Sequence, residues 1–315
     1  MSGYTLAVIG CGTMGVAILS GVFDSQRQIL SSNAASLSSS VASLSKPGTT
    51  ATDEDDLTQL PSRFIACVNR TESVRRLRKT FANAPDVDVV AGAGENVKAA
   101  QKADVVILAC KPNMVKDILE EDGMRDAVDG KLVISICAGL RIQQMREWVT
   151  PGTKVVRAMP NTPCKIREGM TILSPLPPNL PTLALDRSIL LSIFSAVGKC
   201  RFLDEKHFDA CTALAGSGPA FACVFLEAMA DGGVMMGLPR TEALELAAQT
   251  MQGAARMVMQ SGMHPAAIKD SVTTPGGCTI AGLLNLEDGK VRSTVARTIQ
   301  AAAEHASGLG QTTKK

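Results

Sequence analysis

The chain has 315 residues, 45% of them hydrophobic and only 3% aromatic, with a formal net charge of +2. This length suits one large domain or two, cored by Ala, Leu, Val, Ile and Met, and the interspersed charges give no reason to expect nucleic acid or an anionic membrane surface as partner. Nine cysteines lie without C-x-x-C pairs or metal-like spacing and three histidines stand far apart, so reduced thiols and no metal site are expected.

Thr5–Ile9 reads as a buried strand, which leaves no room for a signal or transit peptide and makes a soluble, cytoplasmic protein the expectation. No apolar run is expected to reach the ~20 residues that span a bilayer. The strand is followed at once by Gly10-Cys11-Gly12-Thr13-Met14-Gly15 and an apolar helix to about Phe23. From about Asp24 to Ser62 the composition shifts to Ser, Thr and Ala and ends in the acidic run Asp53–Asp56. This 24–62 insertion reads as a long, partly mobile excursion.

Strands resume at Arg63–Val68, Val87–Val90, Val105–Cys110, Leu132–Cys137 and Lys154–Met159, with helical or turn segments between. Strand alternating with helix implies an α/β fold with a parallel, doubly wound sheet. A Pro-rich break, Pro175–Pro181, precedes a helix at about Leu183–Val197. After Glu205 the texture becomes nearly all helix, which divides the chain into an α/β domain over 1–205 and a helical domain over 206–315. The helix from about Pro219 to Met236 is apolar on most faces, so a second subunit is expected to help bury it. The next helix, Thr241–Gln260, has Thr241 placed to cap its start and Gly262 its end.

Gly10–Gly15 follows a strand and opens a helix, the context that gives G-x-G-x-x-G meaning as a dinucleotide site. NAD sites usually place an acid ~20 residues beyond the glycines, at the end of the second strand. Here that count falls in the Ser-rich insertion, and Asp53–Asp56 reads as a solvated loop. The second strand ends instead in Asn69-Arg70-Thr71, a guanidinium and hydroxyls that match a 2′-phosphate. NADPH is therefore the expected cofactor, with NADH possible. Cys110-Lys111-Pro112, at a later strand end, and Asn96, near a helix start, are further contacts for it.

A second Gly-rich turn, Thr273-Thr274-Pro275-Gly276-Gly277-Cys278-Thr279, precedes an apolar helical run, with Thr279 where an N-cap belongs. Such a turn presents unpaired N–H groups to a small anion such as a carboxylate, ringed here by the hydroxyls of Thr273, Thr274 and Thr279. The long helix after Gly216-Ser-Gly-Pro219 carries Glu227 and Asp231 but no Lys or His to protonate a developing alkoxide. A protonated C=N bond needs no such donor.

Gly10–Gly15, Ala109–Pro112, Arg157–Pro163, Leu214–Pro219, Asp231–Arg240 and above all His264–Thr279 resemble the pyrroline-5-carboxylate reductase family, over nearly the whole chain. The resemblance implies a Rossmann domain followed by an all-helical dimerisation domain, and hence a homodimer or larger homo-oligomer. It also implies hydride transfer from NAD(P)H to the C=N carbon of 1-pyrroline-5-carboxylate, the carbon that becomes C5 of L-proline. By the same resemblance Thr274, Gly276, Gly277, Cys278 and Thr279 hold the substrate carboxylate through backbone N–H groups. Thr279 bonds the ring nitrogen as the catalytic residue, and Glu205 lies near the substrate. Competing readings are a reductase of a related imine or 2-oxo acid, or a non-catalytic NADPH-binding sensor. The missing Lys or His argues against the oxo acid, and the intact second turn against the sensor.

Overall fold

The computed structural model describes residues 3–40 and 60–309. Residue contacts divide the chain into two compact units, one running to Cys211 and including the stretch from Ala306, the other Thr212–His305.

In the first unit, β1 (Tyr4–Ile9) leads into α1 (Thr13–Ser40), then β2 (Pro61–Val68), α2 (Thr71–Thr80), β3 (Val87–Ala91), α3 (Glu95–Lys102) and β4 (Val105–Leu108). Short helices α4 (Val115–Leu119) and α5 (Met124–Ala127) precede β5 (Leu132–Ser135), α6 (Ile142–Trp148) and β6 (Lys154–Met159). β7 (Gly169–Leu173), α7 (Leu183–Ser195), β8 (Gly198–Phe202) and α8 (Phe208–Cys211) complete it. The eight strands form one sheet in the order β3-β2-β1-β4-β5-β6-β7-β8. Strands β1 to β6 are parallel, as their continuous apolar runs require of strands covered on both faces.

Alternate residues serve opposite faces of this sheet. Leu6, Val8, Ile107 and Ile134 pack against Ile18 and Leu19 of α1, Leu77 of α2 and Leu190 of α7. Ala7, Ile9, Leu108 and Val133 pack against Ala100 of α3, Leu119 of α4 and Met145 of α6. The crossovers thus cover both faces, and every strand from β1 to β6 delivers its carboxyl end to one edge.

The helix expected to end near Phe23 runs on to Ser40, and β2 begins at Pro61, so the excursion expected over 24–62 is helical in its first part. No proline or glycine interrupts the chain between Asp24 and Ser40, and Asp24 pairs with Arg167. The expectations for Asp53–Asp56 lie outside the described residues. Two strands were not expected, β7 and β8. β7 runs antiparallel to β6 and β8 parallel to β7, so the sheet is mixed at this end.

The second unit contains α9 (Gly218–Met235), α10 (Arg240–Ser261), α11 (Pro265–Ser271), α12 (Cys278–Asp288) and most of α13 (Val291–Leu309). Pro239, not Thr241, occupies the N-cap of α10, while Gly262 ends it at φ 66° as expected. Its internal core is small: Ala230, Ala243 and Ala247 with Leu226 against them. Leu214, Val224, Met229, Met235, Met236 and Leu246 are exposed. One expectation is corrected here, because Glu205–Met235 is long and apolar enough to cross a membrane by length and composition. A π-helical turn, Thr212–Gly216, precedes α9.

Gly198 opens β8 at φ 140°, and a β-carbon there would run into the Gly169 backbone of the neighbouring strand. Gly198→Ala is expected to lower unfolding stability by about 2 kcal/mol or more, measured by chemical denaturation.

Candidate active site

The glycine turn forms where β1 meets α1. The N–H groups of Gly10 and Cys11 both donate to the Cys67 carbonyl at the end of β2, at 3.0 and 3.1 Å. Gly10 has φ 95°, and a β-carbon on it would lie 2.6 Å from the Cys110 nitrogen. On Gly15 a β-carbon would lie 3.0 Å from the Gly10 oxygen and 3.2 Å from Ala109 Cβ. Gly12 has nothing within 4 Å, so the space above it is open. Two glycines therefore permit close packing and the third leaves room for a ligand. The first N–H groups of α1 have no intrahelical acceptor and open onto that space.

Thr13 is exposed and Met14 half-buried, whereas the Cys11 side chain is buried and donates to the Val8 carbonyl at 3.5 Å. Burial pushes the Cys11 thiol far above its ordinary range and Cys67 up to about 12, so both are neutral packing groups. Asn69 and Arg70 are exposed at the end of β2. Arg70 is the extended N-cap of α2 and makes no side-chain cap bond. Asn96 is half-buried in the first turn of α3, inside the helix where it was expected just before. Cys110 is half-buried, and Lys111 and Pro112 are exposed at the start of a short 3-10 turn after β4. A groove of about 400 Å³ runs from Gly12 and Thr13 along α1, walled by Arg76 and Thr80 of α2 and by Lys165. A dinucleotide phosphate fits this unit: an open glycine, the first N–H groups of α1 and the cations Arg76 and Lys165, which form no ion pair among the described residues, line one groove.

Two features here carry no assignment from sequence. Cys137 donates its thiol to the Cys110 carbonyl at 3.2 Å. This neighbouring thiol, together with burial, pushes Cys110 far above its ordinary range. The other is Arg157, 5% exposed in the middle of β6. Its guanidinium lies 4.7 Å from the centre of the Phe208 ring and 3.3 Å from Glu205 Oε1. The same oxygen accepts the Ile142 N–H, the first of α6, at 2.9 Å. An arginine inside the apolar run Val155-Val-Arg-Ala-Met159 is the sequence signal that could have found it. Asn161 is buried, its Oδ1 accepting the Met170 N–H at 2.8 Å, which makes it a brace for β7.

In the second unit, the Gly277 N–H closes a turn onto the Thr274 carbonyl at 3.1 Å, with Gly276 at φ 68°. Gly277, not Thr279, is the N-cap of α12, and Thr279 is its second residue. The reason is local: Gly277 is extended, and a β-carbon there would strike Thr274 Oγ1. Thr273 does not serve the turn, because its hydroxyl donates to the Lys269 carbonyl at 2.7 Å. Thr279 is half-buried and Cys278 exposed, and the Thr279 hydroxyl has no hydrogen bond among the described residues. His264 caps α11, its Nδ1 accepting from Ala266.

Comparison with known proteins decides the family. The chain is 44% identical to the pyrroline-5-carboxylate reductase of Schizosaccharomyces pombe over 313 residues, 99% of this chain and 100% of that one. It belongs to the pyrroline-5-carboxylate reductase family. It is also 46% identical to the Lophium arboricola member, covering 98% of this chain and 93% of that protein. Residues 205–309 match the family described as pyrroline-5-carboxylate reductase dimerisation, and residues 48–139 that of NADP oxidoreductase, coenzyme F420-dependent. Among solved structures, the Coxiella burnetii enzyme aligns at TM-score 0.77 and 26% identity over 98% of this chain and 99% of that one. The Plasmodium falciparum enzyme, solved with NADP bound, aligns at 0.72 and 27% over 99% and 100%. The exposed apolar helices of the second unit accord with a family that self-associates through this region.

Gly10→Ala should weaken NADPH binding by at least tenfold, because the β-carbon must displace the Cys110 backbone. Titration of NADPH fluorescence measures this, with circular dichroism to follow the fold.

Proposed function

We infer that the chain is an NADPH-dependent pyrroline-5-carboxylate reductase that forms L-proline in the last step of proline biosynthesis. The observation that carries this is identity of 44% along the full length of a relative of that name. When bound, NADPH supplies the hydride that the C=N carbon of the cyclic imine accepts, the carbon that becomes C5 of L-proline.

The residues divide that work. Residues 1–205 hold the cofactor: backbone N–H groups of Gly10–Gly15 take the diphosphate, Asn69 and Arg70 the 2′-phosphate, and Asn96 with Cys110–Pro112 line the remainder. Residues 206–315 hold the substrate and a second copy of the chain. Within Thr274–Thr279, where Pro275 has no N–H and Gly277 gives its own to the Thr274 carbonyl, the N–H groups of Gly276, Cys278 and Thr279 bind the substrate carboxylate, favoured by the positive end of α12. Glu205 borders the substrate. Thr279 accepts the hydrogen bond of the protonated ring nitrogen, which keeps its proton as the imine carbon gains the hydride. No separate acid is then required, in keeping with an α9 that carries no Lys or His. Rate acceleration comes mainly from juxtaposing two bound molecules. Nine free cysteines suit a reducing cytoplasm, and the apolar surface of the helical unit suits a homodimer or larger assembly.

NADPH absorbance should fall on addition of pyrroline-5-carboxylate and stay constant with 2-oxo acids; no oxidation with the imine would overturn the reading. Thr279→Ala is expected to lower kcat at least tenfold while NADPH affinity stays within twofold. Arg70→Ala should raise KM for NADPH by about tenfold and leave that for NADH unchanged, the scale of one charge-assisted contact. Equal effects on both cofactors would remove Arg70 from the 2′-phosphate site.

A further inference from the structure

We propose that Arg157 and Glu205 form a positioning pair whose free carboxylate oxygen accepts the carboxamide N–H of a bound nicotinamide. The proposal rests on the cofactor reading above and assigns the orientation of the ring within it.

Arg157 is buried at mid-strand, where a guanidinium is costly unless its charge and its flat faces are both satisfied. Phe208, itself fully buried, covers one face, and Glu205 supplies the counter-charge. The arrangement at Glu205 is one-sided. Oε1 takes both bonds, from Arg157 Nη1 at 3.3 Å and from Ile142 N at 2.9 Å. Oε2 accepts none among the described residues, and the side chain is 30% exposed. One oxygen is therefore anchored and the other is offered.

The place of that oxygen indicates what it meets. Ile142 opens α6, directly after the loop 136–141 that leaves the carboxyl end of β5. In a doubly wound sheet the adenosine half of a dinucleotide lies over the strands on the β1–β3 side, and the nicotinamide half beyond β4, toward β5 and β6. The nicotinamide carboxamide is the group of that half with N–H to give. Rotating the ring by half a turn would exchange its two faces, and an anchored acceptor for the amide selects one of them. With the cofactor bound, the Glu205 anion would also favour the positive charge that the ring gains on giving up its hydride. Arg157 acts only through Glu205 and α6, and is a positioning residue.

The test compares two ligands by fluorescence titration of the full-length chain, without substrate: NADPH, and the reduced 3-acetylpyridine analogue, whose methyl ketone has no N–H. Wild type should bind NADPH about tenfold more tightly than the analogue, the scale of one hydrogen bond to a charged acceptor. In Glu205→Ala that preference should fall to about twofold or less, through weaker NADPH binding and unchanged analogue binding. Glu205→Asp keeps the charge near Arg157 but shortens its reach, and should lose the preference as well. Arg157→Met should lose most of it and Arg157→Lys retain part. Adenosine 2′,5′-bisphosphate, which occupies only the adenosine half, should bind all variants alike and reports an intact fold. Failure of wild type to bind it would sink the cofactor reading itself. If every variant binds it while Glu205→Ala and Glu205→Asp keep the wild-type preference for NADPH, the pair is structural and the proposal falls.

Discussion

The backbone of Gly10 lies so close to that of Cys110 that no side chain fits between them, and the cofactor edge of the sheet is organised around that approach. At the same point the N–H groups of Gly10 and Cys11 converge on the Cys67 carbonyl, so the carboxyl ends of β1, β2 and β4 are tied together within one turn. α1 can then start directly above the sheet, and Gly15 lets it sit against Ala109. What the packing leaves unfilled is the space over Gly12 and the first N–H groups of the helix. An anion site arises here as the remainder of a packing problem solved with three glycines.

The second unit obeys a different constraint. Among the described residues its helices bury little more than a few alanines and Ile268 of α11, and Met235 and Met236 stay 82% and 81% exposed. A helical unit of this size does not hold itself together on so little apolar burial. Glu205–Met235, apolar enough by length and composition to cross a membrane, lies within the residues that match the family's dimerisation model. Composition alone does not separate a lipid-facing helix from one facing a second copy of the chain, since both demand apolar residues on every side.

Much of this was legible in sequence because the signals were local. Strands β1 to β6 are runs of Val, Ile, Leu and Ala that parallel pairing buries on both faces, and the glycine turn sits where strand passes to helix. β8 escaped because its burial is weak, Lys199 and Arg201 alternating with half-buried neighbours; β7 is largely buried but short, and glycine opens each strand. Asp24–Ser40 escaped because Ser and Asn favour turns without forbidding a helix. The capping errors at Thr241 and Thr279 share a cause. A hydroxyl residue beside a helix start competes with its neighbours, and here Pro239 and Gly277 already hold the extended backbone that an N-cap needs. The role of Arg157 depends on partners 15 to 51 residues away, Ile142 and Phe208 among them, and no periodicity encodes that.

β6 carries two ion pairs, and their difference separates support from function. Lys154 binds both oxygens of the buried Asp186, at 2.7 and 2.9 Å, and Thr182 donates to Asp186 Oδ2 at 2.6 Å. Both carboxylate oxygens are taken, as a purely structural carboxylate requires when it is shut away from water. Lys154–Asp186 joins β6 to α7 at the amino end of the strand, away from the cofactor edge. Arg157–Glu205 lies further along the same strand, and its carboxylate stays partly exposed with one oxygen committed. A carboxylate needed only to neutralise Arg157 would be better served by a bidentate grip in the manner of Asp186. The one-sided grip, with the backbone N–H of α6 taking the place of a second guanidinium bond, fixes the group while leaving half of it for a ligand.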